Sequence, residues 1–325
     1  MEKVTIVSYN TDFGVSALRS KSLIKFLKEK NINVNVISCG NSKFKWYCSI
    51  MFNIIFGSER KLYFSCGPFV YVVFFVFLVK IFNKKSVVDF RDPWSLNILT
   101  NYGNSESKKT IKYRFCVFLE KLIYFFCNYF IVCTKGMYDE YTKQFFSNKK
   151  IFLIKNGFDF NQDNSVKLDD GKFSFVCVGK FAEYDDTKAK NILLSIKNNI
   201  KIDFQIIFIG SDEEKNSTIV KECGLEKNVT FYGKLSYVEA ISLTRSCDVG
   251  LLILRDEEIE YGTKIFDYIG LSMPFYSLLD KNKNFYKEFG KFLFDFNTMN
   301  LSIKSVELQE YTREEQFLGF KGILY

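Results

Sequence analysis

Short β-rich runs alternate with helix-length segments along this chain, in two series parted by a polar stretch. In the first series, β-rich runs lie at Val4–Ser8, Asn33–Ser38, Leu62–Ser65, Val87–Phe90, Tyr129–Cys133 and Ile151–Ile154. Helical segments at Val15–Lys30, Val70–Phe82, Lys108–Cys127 and Lys135–Phe146 stand between them. Residues 155–172 then turn polar, and the pattern restarts. Strands follow at Phe173–Val178, Phe204–Ile209, Asn228–Phe231, Val249–Leu254 and Pro274–Ser277, and helices at Thr187–Asn199, Ser236–Thr244 and Lys264–Leu271. A strand that meets the next one only after a helix must pair with it in parallel, so each series predicts a parallel sheet covered on both faces. The expectation is an α/β protein of two halves of similar size joined by the polar stretch.

Composition removes several classes of chemistry. The 325 residues include no His, which excludes His triads and HExxH metal sites. The nine Cys are scattered in apolar runs without a CxxC pair, so they read as buried thiols in a reducing cytoplasm, with neither disulfide framework nor zinc site. The opening Met-Glu-Lys-Val-Thr-Ile-Val passes straight into a strand pattern, with no signal peptide expected. The most apolar run, Phe69–Phe82, is broken by Lys80 and is shorter than the ~20 residues of a spanning helix. Charge is unevenly spread. Residues 1–165 hold 24 Lys+Arg against 12 Asp+Glu, a net of +12, and the remainder holds 21 against 25, a net of −4. The basic half is either a solvated face or a surface for phosphate or acidic membrane.

In open parallel sheets, ligands sit beyond the carboxyl ends of the strands, so the residues after each strand are the candidates. After the first strand, Gly14 opens a helix whose start offers N–H groups to an anion. No GxGxxG follows any strand, which argues against a dinucleotide oxidoreductase. Asp89, Arg91, Asp92 and Trp94 cluster at the end of the fourth strand, where a guanidinium can bind phosphate or carboxylate and an indole can pack on a sugar. Asn156 follows the sixth strand as a turn or cleft-lining residue. In the second series Lys180 stands at a strand end, and Lys188 and Lys190 at the start of the next helix, a setting for a diphosphate. Gly262, Thr263 and Lys264 open a later helix, and Asp267 lies one turn in, where it can accept from ribose hydroxyls.

Taken in order, these pieces resemble the retaining nucleotide-sugar glycosyltransferases of the GT-B fold, family 4. Asp89-Phe-Arg91-Asp92-Pro-Trp94 resembles that family's DxRDxW loop, and Ile154-Lys155-Asn156-Gly157-Phe158-Asp159 its IPNGxD element. Cys247-Asp248-Val249-Gly250-Leu251 is similar to ADxxLL, and Gly262-Thr263-Lys264-Ile-Phe-Asp267-Tyr268-Ile-Gly270 to PxKxxEYLAxG. The chain departs from the pattern where the family often carries two Glu seven residues apart: the second is Asp267, position 259 is Ile, and Glu260 misses by one. Lys180 replaces the usual Arg, and Arg91 stands where many members have His.

The resemblance implies two Rossmann-like domains facing each other across a cleft, 1–160 handling the acceptor and 161–310 the nucleotide-sugar, with a terminal helix at 311–325 crossing back to the first. It implies metal-independent transfer of a hexosyl or related unit with retention, without a cofactor. Lys180 with Lys188 or Lys190 would neutralise the leaving diphosphate, Asp267 would hold the donor ribose, and Arg91 and Asp92 would face the acceptor or donor sugar. The expected partners are a nucleotide-sugar, a glycan or lipid-linked acceptor of cell-surface polysaccharide assembly and the inner membrane surface, with no nucleic acid. Rival readings are a GT-B epimerase or inverting transferase, and a catalytically idle scaffold of the same fold.

Overall fold

The computed structural model describes residues 3–9, 15–99, 110–159, 171–259, 261–303 and 308–325. They form two compact units, Met1–Asn156 together with Arg313–Tyr325, and Gly157–Thr312. The chain therefore passes from the first unit to the second and returns. The expected terminal helix over 311–325 is instead a short α-helix, Arg313–Phe317, followed by a 3-10 turn, Leu318–Phe320.

The first unit is built on strands β1 (Lys3–Ser8), β2 (Asn33–Ser38), β3 (Lys61–Ser65), β4 (Lys85–Phe90), β5 (Tyr129–Val132) and β6 (Ile151–Leu153). All pair in parallel in the order β2-β1-β3-β4-β5-β6, with Ile6 opposite both Val36 and Tyr63, and Val88 opposite Phe130. The interior strands are buried on both faces, as a parallel sheet between two helix layers requires. From β2 onward every connection steps the same way across the sheet, so right-handed crossovers put its helices on one face. These are α2 (Lys43–Phe56), α3 (Val70–Ile81), α4 (Trp94–Leu99), α5 (Ile111–Phe126) and α6 (Lys135–Phe145). Helix α1 (Val15–Glu29) connects in the opposite sense. It packs with the terminal segment, Phe26 meeting Phe317 and Tyr325, while Tyr63 of β3 meets Phe320.

The second unit has strands β7 (Phe173–Val178), β8 (Phe204–Ile209), β9 (Val229–Tyr232), β10 (Val249–Leu251) and β11 (Phe275–Tyr276), parallel in the order β11-β10-β7-β8-β9. Helices α7 (Asp186–Asn199), α8 (Glu213–Glu222), α9 (Tyr237–Arg245), α10 (Lys264–Gly270) and α11 (Asn284–Phe289) connect and flank them. Side-chain caps start the longer ones: Asp185 accepts from the Lys188 N–H, Asp212 from Lys215, and Ser236 and Glu239 form a capping box. Buried apolar clusters lie on both sides of the sheet, one around Phe266, Tyr268 and Phe285, the other around Phe175, Ile192 and Phe208.

The sequence reading missed α2, α4, α8 and α11. Helix α2 is apolar around most of its circumference, so it lacks the polar stripe that marks a surface helix. Helix α8 has the opposite defect, with Ile219 and Val220 its only buried apolar residues.

Candidate functional site

In the second unit the strand order reverses between β7 and β10, and a doubly wound sheet binds its ligand beside such a reversal, beyond the strand ends. Strand β7 ends in Gly179 at φ +69, a left-handed conformation that glycine adopts without cost, and the chain turns there to present Lys180. Four residues on, the Tyr184 ring forms the centre of a cation cluster. Arg255 Cζ lies 4.9 Å from its centroid, Lys264 Nζ 5.5 Å and Lys180 Nζ 6.0 Å. Lys180 and Tyr184 come from the loop after β7, Arg255 from the loop after β10, and Lys264 from the first turn of α10. An aromatic face attracts cations, so the ring gathers the three charges at one place.

Lys264 is the most enclosed of the three. Its ammonium donates to the Lys180 carbonyl at 2.9 Å. Burial pushes its pKa down, Lys180 adds to the fall, and Cys177, Glu183 and Asp267 oppose it. Tyr268 holds α10 in place from below. Its hydroxyl lies 3.1 Å from the Leu251 carbonyl and 3.2 Å from that of Val176, donating to one at a time and bridging β10 and β7. The ring passes over Gly250, where an added Cβ would come within 2.6 Å of it. The loop after β7 is pinned by Glu183, which accepts from the N–H groups of Phe181 and Asp212 and from the Asn216 amide, each at 2.9 Å. These hydrogen bonds outweigh burial and lower the Glu183 pKa.

The other residues read from the second series take different places. Lys188 forms a 2.8 Å ion pair with the mostly buried Glu257, whose second oxygen accepts from the Asp280 N–H. Lys190 pairs with Glu222 across α7 and α8, away from the Tyr184 cluster. Asp267 accepts from the Tyr237 hydroxyl at 3.0 Å. Thr263 is the N-cap residue of α10 without a side-chain cap bond, and Gly262 is exposed. Glu260 and Gly14 lie outside the described residues. Glu183, Tyr184 and Arg255 were not singled out from sequence. Tyr184 and Arg255 are 71 positions apart and meet only because β10 lies beside β7.

In the first unit, Asp89 lies in the interior. It is fully buried and pairs with Arg19 of α1 at 2.9 Å, while the Tyr63 hydroxyl donates to the same oxygen. The Arg19 guanidinium continues to the Lys155 carbonyl at 2.7 Å, the Ile154 carbonyl at 3.0 Å and the Asn156 amide oxygen at 3.3 Å, with Phe317 beneath it. The arginine pKa is raised: burial opposes the charge, but Asp89 and Tyr63 more than compensate. Through Arg19, Asp89 thus ties α1 to β4, and Asn156 ties it to the chain after β6. Their neighbours differ. Arg91 is half-buried, its carbonyl 3.1 Å from the Cys133 thiol, and Asp92 is exposed. Trp94 is half-buried and stacks on Phe69 with centroids 5.1 Å apart. Among the described residues no group of three or more Cys, Asp or Glu side chains is arranged to hold a metal ion.

No protein-family model and no curated protein matches the sequence. Solved structures do match. The chain resembles the lipopolysaccharide outer core galactosyltransferase WaaB with a TM-score of 0.60 at 12% identity, over 99% of this chain and 98% of that one. It also resembles Anabaena HepE in complex with UDP and glucose, with a TM-score of 0.57 at 13% identity, over 99% and 95% of the two chains. The fold is GT-B. Its two parallel-sheet Rossmann-like units match glycosyltransferase structures. The same fold serves a UDP-GlcNAc 2-epimerase from Methanocaldococcus jannaschii, matched with a TM-score of 0.53 at 15% identity over 100% and 92% of the chains. A GT-B scaffold thus accounts for the architecture, and the chemistry must be argued from the Tyr184 cluster.

Proposed function

We propose that this chain is a glycosyltransferase that takes its sugar from a nucleoside-diphosphate sugar bound on the second unit. The observation that carries the reading is the convergence of Lys180, Arg255 and Lys264 on Tyr184, at the strand reversal between β7 and β10. Fixed cations at that place suit a diphosphate. In the transfer, the bond from the sugar's anomeric carbon to the β-phosphate oxygen breaks and a bond to the acceptor oxygen forms. Negative charge grows on the departing diphosphate, and the three cations stabilise it without reorganisation. The acceptor's proton passes to the diphosphate, so no side-chain base is assigned. Asp267, already hydrogen-bonded to Tyr237, is assigned to the donor ribose. Glu257 offsets much of the Lys188 charge, so Lys188 has a secondary role.

The finer reading follows the sequence resemblance. Transfer proceeds with retention and without metal or cofactor, and the sugar is a hexosyl or related unit. Arg91 and Asp92 face the acceptor or the donor sugar, and the acceptor is a glycan or lipid-linked saccharide of cell-surface polysaccharide assembly. The enzyme works in the cytoplasm at the inner face of the cell membrane.

A thermal-shift panel of UDP-, GDP-, ADP- and CMP-sugars tests the donor site, since a ligand raises stability as ln(1 + [L]/Kd). No shift with any of them would overturn the reading. The epimerase neighbour supports a second reading, conversion of a nucleotide-sugar to its epimer. NMR of the products separates the two: an epimerised nucleotide-sugar formed without acceptor favours the second, and a new glycoside with retained configuration the first.

A further inference from the structure

Helices α2, α3 and α5 lie side by side on one face of the first unit's sheet. Tyr47 and Phe75 join the first two, and Phe77 and Phe126 the second pair. Each buries one apolar stripe against the sheet, through Trp46 and Ile50, Val72 and Val76, and Cys116 and Ile123. Each also turns a second apolar stripe to solvent. Phe52 and Phe56 stand one turn apart on α2, Phe74 and Phe77 on α3, and Phe115 and Phe118 on α5, all between 42% and 70% exposed. Neighbouring single apolar residues are ordinary on a protein surface, but a contiguous aromatic face spread over three helices marks an interaction site.

Charge identifies the partner. The three helices carry Lys43, Lys45, Lys80, Lys112, Arg114 and Lys121, and their one carboxylate, Glu120, is fully buried among Ser95, Tyr141 and Gln144. Exposed Phe with cations and no exposed acid on the three helices suit lipid with anionic headgroups: the rings enter the headgroup–acyl boundary and the cations meet the phosphates. Length fixes the mode. Helices of 14, 12 and 16 residues are too short to span, and among the described residues no helix is long and apolar enough to cross a membrane. The stripe on α5 runs on through Phe125 into a cavity of about 410 Å³, walled by Tyr124, Phe145 and Phe146 and edged by Lys121 and Lys149. Aromatic walls beside ammonium groups make it a seat for a single headgroup.

We infer that the α2–α3–α5 face of the first unit docks on an anionic lipid bilayer, lying in the interface without crossing it. The inference gives a surface to the location proposed above and rests on that reading only for the choice of leaflet. Co-sedimentation with phosphatidylglycerol–phosphatidylcholine vesicles, against phosphatidylcholine alone, tests it. The expected result is low-salt binding to the anionic vesicles only. The combined Phe52→Ser, Phe74→Ser and Phe115→Ser variant should lose at least about tenfold in partitioning. The combined Lys45→Gln, Lys80→Gln and Arg114→Gln variant should lose the preference for anionic lipid. The substituted side chains are exposed, and circular dichroism checks that both variants fold. Wild-type protein that stays in solution with anionic vesicles overturns the inference, as does a serine variant that binds like wild type. It is also overturned if the wild type ignores vesicles and forms a dimer that the serine variant abolishes, because the face then belongs to a second copy. Nucleotide affinity should be unchanged in the serine variant, so failure of docking and failure of the donor-site reading are distinguishable.

Discussion

Replacing Lys264 with Met keeps most of the side chain's length and removes its charge. Lys264 and Arg255 share the Tyr184 ring, so their charges are at most about 10 Å apart, a mutual repulsion of at least about 0.4 kcal/mol at water-like screening and at least about 1.7 at an effective dielectric of 20. The site is half-open, which favours the lower figure. Against that relief stands the lost hydrogen bond to the Lys180 carbonyl, worth about 1 kcal/mol. The unliganded variant should therefore unfold within about 1 kcal/mol of wild type. Ligand binding has no such compensation. A hydrogen bond from an ammonium to a phosphate contributes about 1.5–3 kcal/mol, so affinity for UDP or GDP should fall by about tenfold to a hundredfold. Titration calorimetry measures the fall, and denaturant unfolding checks the stability. A folded Lys264→Met protein that binds every nucleoside diphosphate as tightly as wild type refutes the assignment of Lys264. The pH dependence follows from the same residue. Its folded pKa is below the ordinary 10.5, so between the two values the unfolded chain holds the extra proton. Unliganded stability should rise with pH across that window, while diphosphate affinity falls as the ammonium deprotonates.

Other perturbations separate the architecture from the chemistry. Gly250→Ala drives a methyl into the Tyr268 ring, which is tied to two backbone carbonyls, and should destabilise the second unit by about 1–3 kcal/mol in urea unfolding. A Gly250→Ala, Tyr268→Leu pair should recover part of that loss, whereas simple additivity would contradict the steric account. Asp89→Leu leaves the Arg19 guanidinium buried without its carboxylate and should cost the first unit about 3–5 kcal/mol, read as a lower denaturation midpoint. Turnover should persist in EDTA, and loss restored by Mg²⁺ or Mn²⁺ would argue against the metal-free mechanism.

The strands were legible because parallel strands buried on both faces are written as apolar runs, and Phe204–Ile209 matches its predicted bounds. Helix α2 was not, because apolar residues around the whole helix erase the 3.6-residue rhythm. Lys180 and Lys264 could be found from strand ends and helix starts, each a local signal. Arg255 could not, since it precedes an acidic run and gains meaning only when β10 is placed beside β7. Lys190 stands two positions after Lys188, which on a helix puts the two about 200° apart, so one meets the loop after β10 and the other meets α8. Asp89 resembled a loop acid because the strand's last residues were read as its rim. Its side chain turns inward to Arg19, which sits 70 positions earlier.

The return of the chain at Arg313 bears on the order in which the protein assembles at the ribosome. Synthesis delivers Met1–Asn156 first, but Phe26, Tyr63 and Arg19 then lack Phe317, Phe320 and Tyr325, the rings that cover them. Those rings arrive only after all 156 residues of Gly157–Thr312 have been translated. The unit that starts first is thus completed last. At a synthesis rate of about 5–20 residues per second the interval between its two parts lasts on the order of ten to thirty seconds. A released chain truncated after Thr312 should be cut by protease in the α1 side of the first unit and resist cutting in the second.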